Sequence, residues 1–299
     1  MHRSIGWIGL GAMGLPMATR LVKAGFSLAT VVHRNAEPAN RLREMGARLL
    51  DNPAALAAEC DTIVTIVPAD RQMEEVLLDP AFLAAVKPGT LLLEMTSGTP
   101  RMMKRAAEAL ESRGCRVLDA PVSGGMAGAR DGKLTVMAGG ESAAIADAKP
   151  VLDILASQVI PVGGIGAGKA VKAINQMLAA VHMVAASEAI ALAERLDVDM
   201  EALHAVIKAS SGGSWIFANK LPLIVERQFS PGFRLDLMIK DIGIALSEGE
   251  DVPLALAPAA YKLYQAASLT SGGLDYAVVS DQIRNVRRQP GHLERSNKE

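Results

Sequence analysis

A lysine lies inside the longest apolar helical pattern of the chain. Lys172 belongs to GKAVKAINQ (168–176), and a long run of alanine, methionine, leucine and valine follows it. Asn175 and Gln176 come one turn later, so a helix would place these polar side chains on one face. Burying an ammonium costs free energy unless the charge is paired or used. Lys172 is therefore either an acid or base that moves a proton, or a lysine whose stem follows the helix out to solvent.

A second lysine of the same segment helps to define the buried face. Lys169 lies roughly a quarter-turn from Lys172 around the helix axis. Apolar residues occupy the positions that follow at helical spacing, so neither face of the helix looks fully solvated. We expect Lys169 to be the lysine that faces solvent and Lys172 to be the one that is buried.

The segment DAPVSGG (119–125) could hold a small anion. Ser123 offers a hydroxyl, and Gly124 and Gly125 offer backbone N–H groups that a ligand can approach without meeting a Cβ atom. These groups are suited to a carboxylate. The alternative is an ordinary glycine-rich turn, which needs no ligand.

The segment GLGAMG matches the glycine pattern of a dinucleotide-binding turn between a strand and a helix. In such a turn one glycine permits the tight bend, a second lets a pyrophosphate approach the helix N-terminus, and a third allows helix and strand to pack closely. The pattern alone is weak, but a strand precedes it and a helix follows. The predicted cofactor contacts here are Gly9, Leu10, Gly11, Ala12, Met13 and Gly14.

The end of the second predicted strand, His33-Arg34-Asn35, indicates the cofactor type. NAD-preferring sites usually carry an acidic residue here, which binds the ribose hydroxyls, whereas an arginine suits a 2′-phosphate. Arg34 could bind that phosphate through its planar fork and stack on the adenine. NADP is therefore the expected cofactor, with NAD as the second choice; the alternative is a solvated loop arginine.

Composition limits the class of protein. Of 299 residues half are apolar and only 3% aromatic, and the formal net charge is −1, so nucleic acid is not an expected partner. Cys60 and Cys115 form no CxxC pattern, which argues against a disulfide framework or a metal site. The N-terminal segment lacks a signal-peptide pattern, and His182 and Glu188 interrupt the long apolar stretch. We expect a cytoplasmic protein without a membrane span.

The order of elements predicts two domains. Strand patterns at 4–10, 28–33, 62–67, 90–95, 115–120 and 134–139 alternate with helical patterns, among them 13–24, 101–113 and 142–155. Alternating strands and helices indicate an α/β fold of the Rossmann type, with a largely parallel sheet covered on both faces. From Gly168 the periods are only helical, at about 168–195, 199–209, 215–227, 234–249 and 253–270. We predict a dinucleotide-binding domain (1–163), an all-helical domain (164–292) and a long helix that joins them.

Together these segments resemble the β-hydroxyacid dehydrogenase family, which includes 3-hydroxyisobutyrate dehydrogenase, tartronate semialdehyde reductase and 6-phosphogluconate dehydrogenase. The matching pieces occur in the family's order up to about residue 246, and the resemblance extends over nearly the whole chain. They are GWIGLGAMGLPMATRLVKAG, DAPVSGGMAGARDGKLTVMAGG, GAGKAVKAINQML, GGSW and FRLDLMIKDIGIAL.

The resemblance implies roles for particular residues. Lys172 would be the catalytic acid and base. Ser123, Gly124 and Gly125 would bind the substrate carboxylate, with Asn175 and Gln176 orienting the substrate. Lys240 would close over the nicotinamide and the substrate, and the predicted cofactor contacts of the central loops are Val67, Pro68 and Thr96.

The resemblance also implies an activity, and two alternatives accompany it. The expected reaction interconverts a small β-hydroxy acid and its semialdehyde by hydride transfer, in the 3-hydroxyisobutyrate or tartronate semialdehyde class. Imine reductases share the architecture but generally lack a lysine at the position of Lys172, and non-catalytic nucleotide-binding relatives have lost it. The segment after residue 195 has much apolar surface, and relatives in the family bury such surface by association. We therefore expect a homodimer or homotetramer.

Overall fold

The computed structural model describes residues 4–284, which divide into two compact units, one on each side of the Asn175–Gln176 bond. That division falls inside the long helix, whereas the boundary predicted from the sequence, 163–164, precedes it. The predicted end of the second domain at residue 292 lies outside the described residues.

The first unit contains the sheet. Within residues 4–284 the strands are nine in number: β1 (Ile5–Ile8), β2 (Leu28–Val31), β3 (Arg48–Leu50), β4 (Thr62–Thr65), β5 (Leu91–Glu94), β6 (Arg116–Asp119), β7 (Val122–Ser123), β8 (Leu134–Gly139) and β9 (Ala156–Gly163). Their order is β3-β2-β1-β4-β5-β6-β8-β7, and β9 pairs with β8. Strands β1 to β6 are mutually parallel in the order 3-2-1-4-5-6, which is the order of a dinucleotide-binding sheet.

The direction of the chain changes after β6. Strand β8 runs antiparallel to β6 and β7, and β9 then runs parallel to β8. Strand β9 was not predicted from the sequence. It is an edge strand whose side chains are largely exposed and which contains Pro161, so it lacks the apolar alternation of a buried strand.

Helices cover both faces of this sheet. They are α1 (Gly14–Lys23), α2 (Glu37–Glu44), α3 (Pro53–Glu59), α4 (Asp70–Leu77), α5 (Pro80–Ala85), α6 (Pro100–Glu111), α7 (Gly125–Asp131) and α8 (Ser142–Leu155). Neighbouring residues of one strand enter opposite cores: Trp7 packs with Met17 of α1, whereas Ile8 packs with Met73 of α4. The predicted α/β class and the two covered faces are confirmed.

The second unit is helical. Helix α9 (Ala167–Arg195) enters it at Gln176, and the following elements are α10 (Met200–Lys208), α11 (Trp215–Val225), α12 (Leu235–Glu248), α13 (Leu256–Ser271), a 3₁₀ turn (Tyr276–Val279) and α14 (Ser280–Arg284). Their bounds agree with the predicted helical periods to within about three residues. The GGSW segment starts α11, because the Ser214 side chain accepts a 3.0 Å hydrogen bond from the Phe217 amide and so caps the helix.

Helix α9 is unusually long and apolar. Among the described residues it is the one helix that could cross a membrane by length and composition, a weak criterion that a core helix of a soluble protein also meets. Its apolar residues Met183 and Ile190 are fully buried in the core of the second unit, which also contains Ile242 and Tyr264. The Tyr264 hydroxyl donates a hydrogen bond to the Ala180 carbonyl of the same helix.

Candidate active site

The turn from β1 into α1 leaves no space for a side chain at two of its glycines and open space at a third. A Cβ on Gly9 would lie 2.0 Å from the Ile66 carbonyl oxygen, and one on Gly14 would lie 1.9 Å from the Gly9 carbonyl oxygen. Around Gly11, by contrast, nothing lies within 4 Å of where a Cβ would be. No acidic residue stands in the first turn of α1, and none of the described side chains caps it. The turn therefore fits the pyrophosphate of a dinucleotide, which needs an open backbone at a helix N-terminus.

The loop after β2 carries the residues predicted to choose the cofactor. His33, Arg34 and Asn35 are exposed there, and the Asn35 side chain accepts a 3.0 Å hydrogen bond from the Glu37 amide at the start of α2. The prediction that the strand continues to residue 33 is wrong. Strand β2 ends at Val31 because its pairing with β1 stops at Thr30 and its pairing with β3 stops at Val31.

Hydrogen bonds join the loops after β4 and β5. The Thr96 hydroxyl accepts a 3.0 Å hydrogen bond from the Val67 amide, and the exposed Pro68 follows Val67 in the same loop. A second link comes from Asp70, whose carboxylate accepts from the Thr99 amide at 2.9 Å and from its hydroxyl at 2.7 Å. Thr96 is itself buried, and these bonds give the loop predicted to lie beside the cofactor its shape.

The predicted carboxylate-binding segment follows β6. Ser123 pairs with Thr135 at the end of β7, Gly124 is exposed, and Gly125 begins α7. Both glycines adopt positive φ, 125° and 59° respectively, which favours glycine at these positions.

The first turns of α9 carry Lys172 and Asn175. Lys172 is 7% exposed, which agrees with the predicted buried face, and Asn175 is partly buried. The prediction that Lys169 faces solvent is wrong, because its side chain is 0% exposed and forms ion pairs with Glu94 and Asp119. Helical spacing could not reveal this, since the two partners lie far away in sequence on β5 and β6.

In the second unit, one carboxylate joins two of the predicted site residues. The Gln176 amide group donates a 2.9 Å hydrogen bond to Asp241 Oδ2, and Lys240 Nζ lies 2.8 Å from Asp241 Oδ1. Asp241 is buried, and the Lys240 side chain is 24% exposed. The sequence did not predict the bond from Gln176 to Asp241, because the two residues lie 65 positions apart in the chain.

The parallel strands place the predicted site residues of the first unit at one end of the sheet, the carboxyl end of the strands. Parallel strands have their carboxyl ends on the same side of the sheet, so the segments that follow β1, β2, β4, β5 and β6 lie there. They are Gly9–Gly14, His33–Asn35, Val67–Pro68, Thr96 and Ser123–Gly125. The order of strands reverses between β1 and β4, where open α/β sheets bind their ligands.

Comparison with known proteins shows the family of the chain. Residues 4–164 match the model of the NAD binding domain of 6-phosphogluconate dehydrogenase, and residues 166–281 match that of the NAD-binding region of NADP-dependent 3-hydroxyisobutyrate dehydrogenase. An L-threonate dehydrogenase of Cupriavidus necator is 39% identical over 93% of this chain and 95% of its own length. The chain belongs to the β-hydroxyacid dehydrogenase family. It is an NAD(P)-dependent hydroxyacid dehydrogenase, as the family resemblance predicted.

Two solved structures are similar to this dehydrogenase over 95% of its length. The 3-hydroxyisobutyrate dehydrogenase of Mycobacterium tuberculosis, in a structure with L-serine, has a TM-score of 0.88 and 31% identity, and the match covers 95% of this chain and 100% of that one. An imine reductase of Myxococcus stipitatus has a TM-score of 0.65 at 19% identity over 95% of this chain and all of that one. The second likeness concerns the fold alone.

Proposed function

We propose that this dehydrogenase interconverts a small β-hydroxy acid and its semialdehyde, with Lys172 as the acid and base. The observation that carries the proposal is the burial of Lys172 in the first turns of α9, within a motif whose family role is proton transfer. The retained lysine also favours this reaction over imine reduction.

Each residue of the proposed site has its own role in the reaction. When bound, the nicotinamide accepts or supplies the hydride. In reduction Lys172 donates a proton to the carbonyl oxygen, and in oxidation its neutral amine takes the hydroxyl proton. Ser123 and the amides of Gly124 and Gly125 hold the carboxylate, so that part of the rate comes from orientation. Asn175 and Gln176 orient the substrate, and the Lys240 ammonium favours an anionic one.

The substrate class follows from what the relatives' names have in common. L-threonate, 3-hydroxyisobutyrate and L-serine each give their name to a similar dehydrogenase. All three carry a carboxylate and a hydroxyl on a short chain. We assign this enzyme to that class, with 3-hydroxyisobutyrate and the reduction of tartronate semialdehyde as the first reactions to examine.

A turnover assay with a substrate panel tests the proposal. The purified enzyme is supplied with NADP or NAD and with 3-hydroxyisobutyrate, L-threonate, L-serine or glycerate, and in the reverse direction with the reduced cofactors and C3–C4 semialdehydes. A cyclic imine serves as the comparison substrate. We expect turnover of at least one hydroxy acid or semialdehyde and none of the imine. Turnover of the imine alone would assign the enzyme to imine reduction.

NADP is the cofactor that we propose as preferred. Arg34 is exposed in the loop that follows β2, and neither neighbour, His33 or Asn35, is acidic. A guanidinium there can bind a 2′-phosphate, and no carboxylate of these three positions would repel it.

We further propose a cytoplasmic homodimer or homotetramer. The second unit exposes large apolar side chains, including Leu196, Val206 and Leu269, the last 85% exposed. Surface of this kind favours association of like copies. Light scattering on the purified protein measures the mass in solution, and a monomer would reject this part of the proposal.

A further inference from the structure

Lys169 is the centre of a buried group of charges that the proposed reaction does not use. Its ammonium pairs with Glu94 Oε2, lies 3.2 Å from Asp119 Oδ1, and donates a 3.2 Å hydrogen bond to the Glu94 backbone carbonyl. An ammonium has three hydrogens to donate, and three acceptors surround this one. All three side chains are fully buried. We call Lys169, Glu94 and Asp119 the buried triad.

Asp119 ties the triad to the start of α9. Its Oδ2 atom accepts from the Gly166 amide at 3.1 Å and from the Lys169 amide at 3.0 Å. These are N-terminal amides of a helix, which have no partner inside the helix and favour a negative charge beside them. The carboxylate at the end of β6 therefore fixes where α9 begins, one turn before Lys172.

Glu94 ties the triad to the cofactor loop. Its carboxylate accepts from the Thr96 amide, with both oxygens at 3.2 Å, and from the Thr65 hydroxyl at 3.3 Å. The Thr96 hydroxyl in turn accepts from the Val67 amide. One carboxylate thus holds both Lys169 and the segment predicted to lie beside the nicotinamide ribose.

Close backbone packing reinforces the same junction. A Cβ on Gly168 would lie 2.7 Å from the Met137 carbonyl oxygen and 2.8 Å from that of Asp119. On the facing strand, a Cβ on Gly139 would lie 2.7 Å from the Gly164 carbonyl oxygen. The first turn of α9 therefore lies directly against the backbones of β6 and β8.

Buried charges such as those of the triad add little net stability to a fold. Burial by itself lowers the pKa of Lys169, but the carboxylates of Glu94 and Asp119 outweigh that effect and raise the pKa above its ordinary value. The lysine is therefore charged, and three charges have been removed from water. Apolar side chains of similar size often stabilise a protein as well or better, so directional bonds are the distinctive contribution of such a cluster.

We propose that Lys169 is a positioning residue: through Glu94 and Asp119 it sets the place of Lys172 relative to the Thr96 loop and to the Ser123 segment. This inference rests on the proposed function, in which Lys172 moves the proton. The Lys169 ammonium joins three elements: β5, which leads to Thr96, β6, which leads to Ser123, and α9, which carries Lys172. Orientation errors near 1 Å can cost about 10²-fold in rate.

The test compares three variants of the full chain: Lys169→Met, Glu94→Gln, and the double variant Lys169→Gln/Glu94→Gln. Lys149→Met is the matched control, because Lys149 forms an exposed pair with Asp153 on α8. For each we would measure Tm, the Kd of NADPH, kcat and KM, and the isotope effect with deuterated NADPH.

We expect Lys169→Met to lower kcat at least ~10-fold at a temperature where it is folded, with the Kd of NADPH changed by less than about threefold. The isotope effect should rise as hydride transfer becomes slower. The double variant, which removes one charge of each sign and keeps amides that can pair, should recover Tm but not kcat. The Lys149→Met control should match the wild type in all readouts.

Three outcomes would overturn the inference. The first is a wild-type kcat in folded Lys169→Met or Glu94→Gln. The second is a kcat that returns together with Tm in the double variant, which would assign the triad to stability alone. The third is failure of all three variants to fold, which carries the same meaning. If Lys172→Ala remains active, the proposed function itself fails; if only the Lys169 variants behave normally, the positioning role alone fails.

Discussion

The side-chain amide of Gln176 and the carboxylate of Asp241 form a buried hydrogen bond of 2.9 Å. The other oxygen of Asp241 lies 2.8 Å from the Lys240 ammonium. A single carboxylate therefore orients two of the residues predicted to contact the substrate. Its loss would release both at once.

Replacing Asp241 should lower kcat/KM by more than any loss of fold stability would explain. Asp241→Asn keeps the size of the side chain but removes the charge that pairs with Lys240. We expect kcat/KM for an acidic substrate to fall about 10-fold, the effect of losing about 1.5 kcal/mol of a charge-assisted bond. Steady-state kinetics measures this. Glu248→Gln removes the same charge from an exposed position of the same helix and should leave kcat/KM unchanged.

Replacing Lys172 should slow the chemistry while the cofactor still binds. Lys172→Ala removes the proposed proton donor, and we expect kcat to fall at least ~10²-fold. The dinucleotide turn at Gly9–Gly14 is untouched, so NADPH titration followed by fluorescence should give a Kd near that of the wild type. Lys23→Ala, at an exposed position of α1, is the control. Activity near wild type in Lys172→Ala would reject the assignment.

Arg34 should control the choice of cofactor. Arg34→Asp places a carboxylate where a 2′-phosphate would bind, so kcat/KM with NADPH should fall at least ~10-fold, the loss expected for one charge-assisted hydrogen bond. The value with NADH should hold or rise. Arg41→Asp makes the same charge change at an exposed site on α2 and should not alter the ratio. A wild-type preference for NADH would contradict the role of Arg34.

The raised pKa of Lys169 predicts how stability depends on pH. Its pKa in the folded protein lies above the ordinary value of 10.5. The stabilisation it provides is therefore complete below about pH 10 and is lost as the pH rises through the folded-state value. The Tm difference between wild type and Lys169→Met, measured by calorimetry, should therefore narrow as the pH rises above 10.5. A difference that stays the same above pH 10.5 would contradict this role of the Lys169 charge.

The two cysteines should be unreactive in the native protein. Both are free and buried, and burial is the main cause that raises the pKa of the Cys60 thiol to about 11. Burial raises the pKa of the Cys115 thiol as well. A thiol titration with Ellman's reagent at pH 8 should therefore proceed slowly until denaturant is added, and then count two thiols. Immediate reaction of the native enzyme, with loss of activity, would place a thiol at an accessible site.

Local sequence patterns were enough for some elements but not for the exposed strand β9. Strand β8 and helix α8 have the predicted bounds, because apolar periods and a glycine turn are local properties. The burial of Lys169, by contrast, depends on residues that are distant in the sequence. Its partners Glu94 and Asp119 each end an apolar strand run, LLLE and RVLD. A carboxylate at the end of two buried strands was the available signal that a cation would be needed there.

The limit of the β2 strand shows the same distinction. Residues 32 and 33 continue a pattern that suits a strand, yet β2 stops at Val31, where the ladder with β3 also ends. Strand length depends on a partner whose own length is set elsewhere in the chain. Similarly, the bond from Gln176 to Asp241 joins positions 65 apart in sequence, and no periodicity relates them.

The contact of Gly139 with the start of α9 limits how this enzyme could be evolved in the laboratory. Neither Gly139 nor Gly168 can gain even a methyl group without moving a backbone carbonyl. In a saturation-mutagenesis library selected for a new substrate, both positions should return only glycine, although neither belongs to the predicted substrate contacts. Useful diversity should instead come from side chains of the second unit, where changes need not disturb the junction that places the lysine.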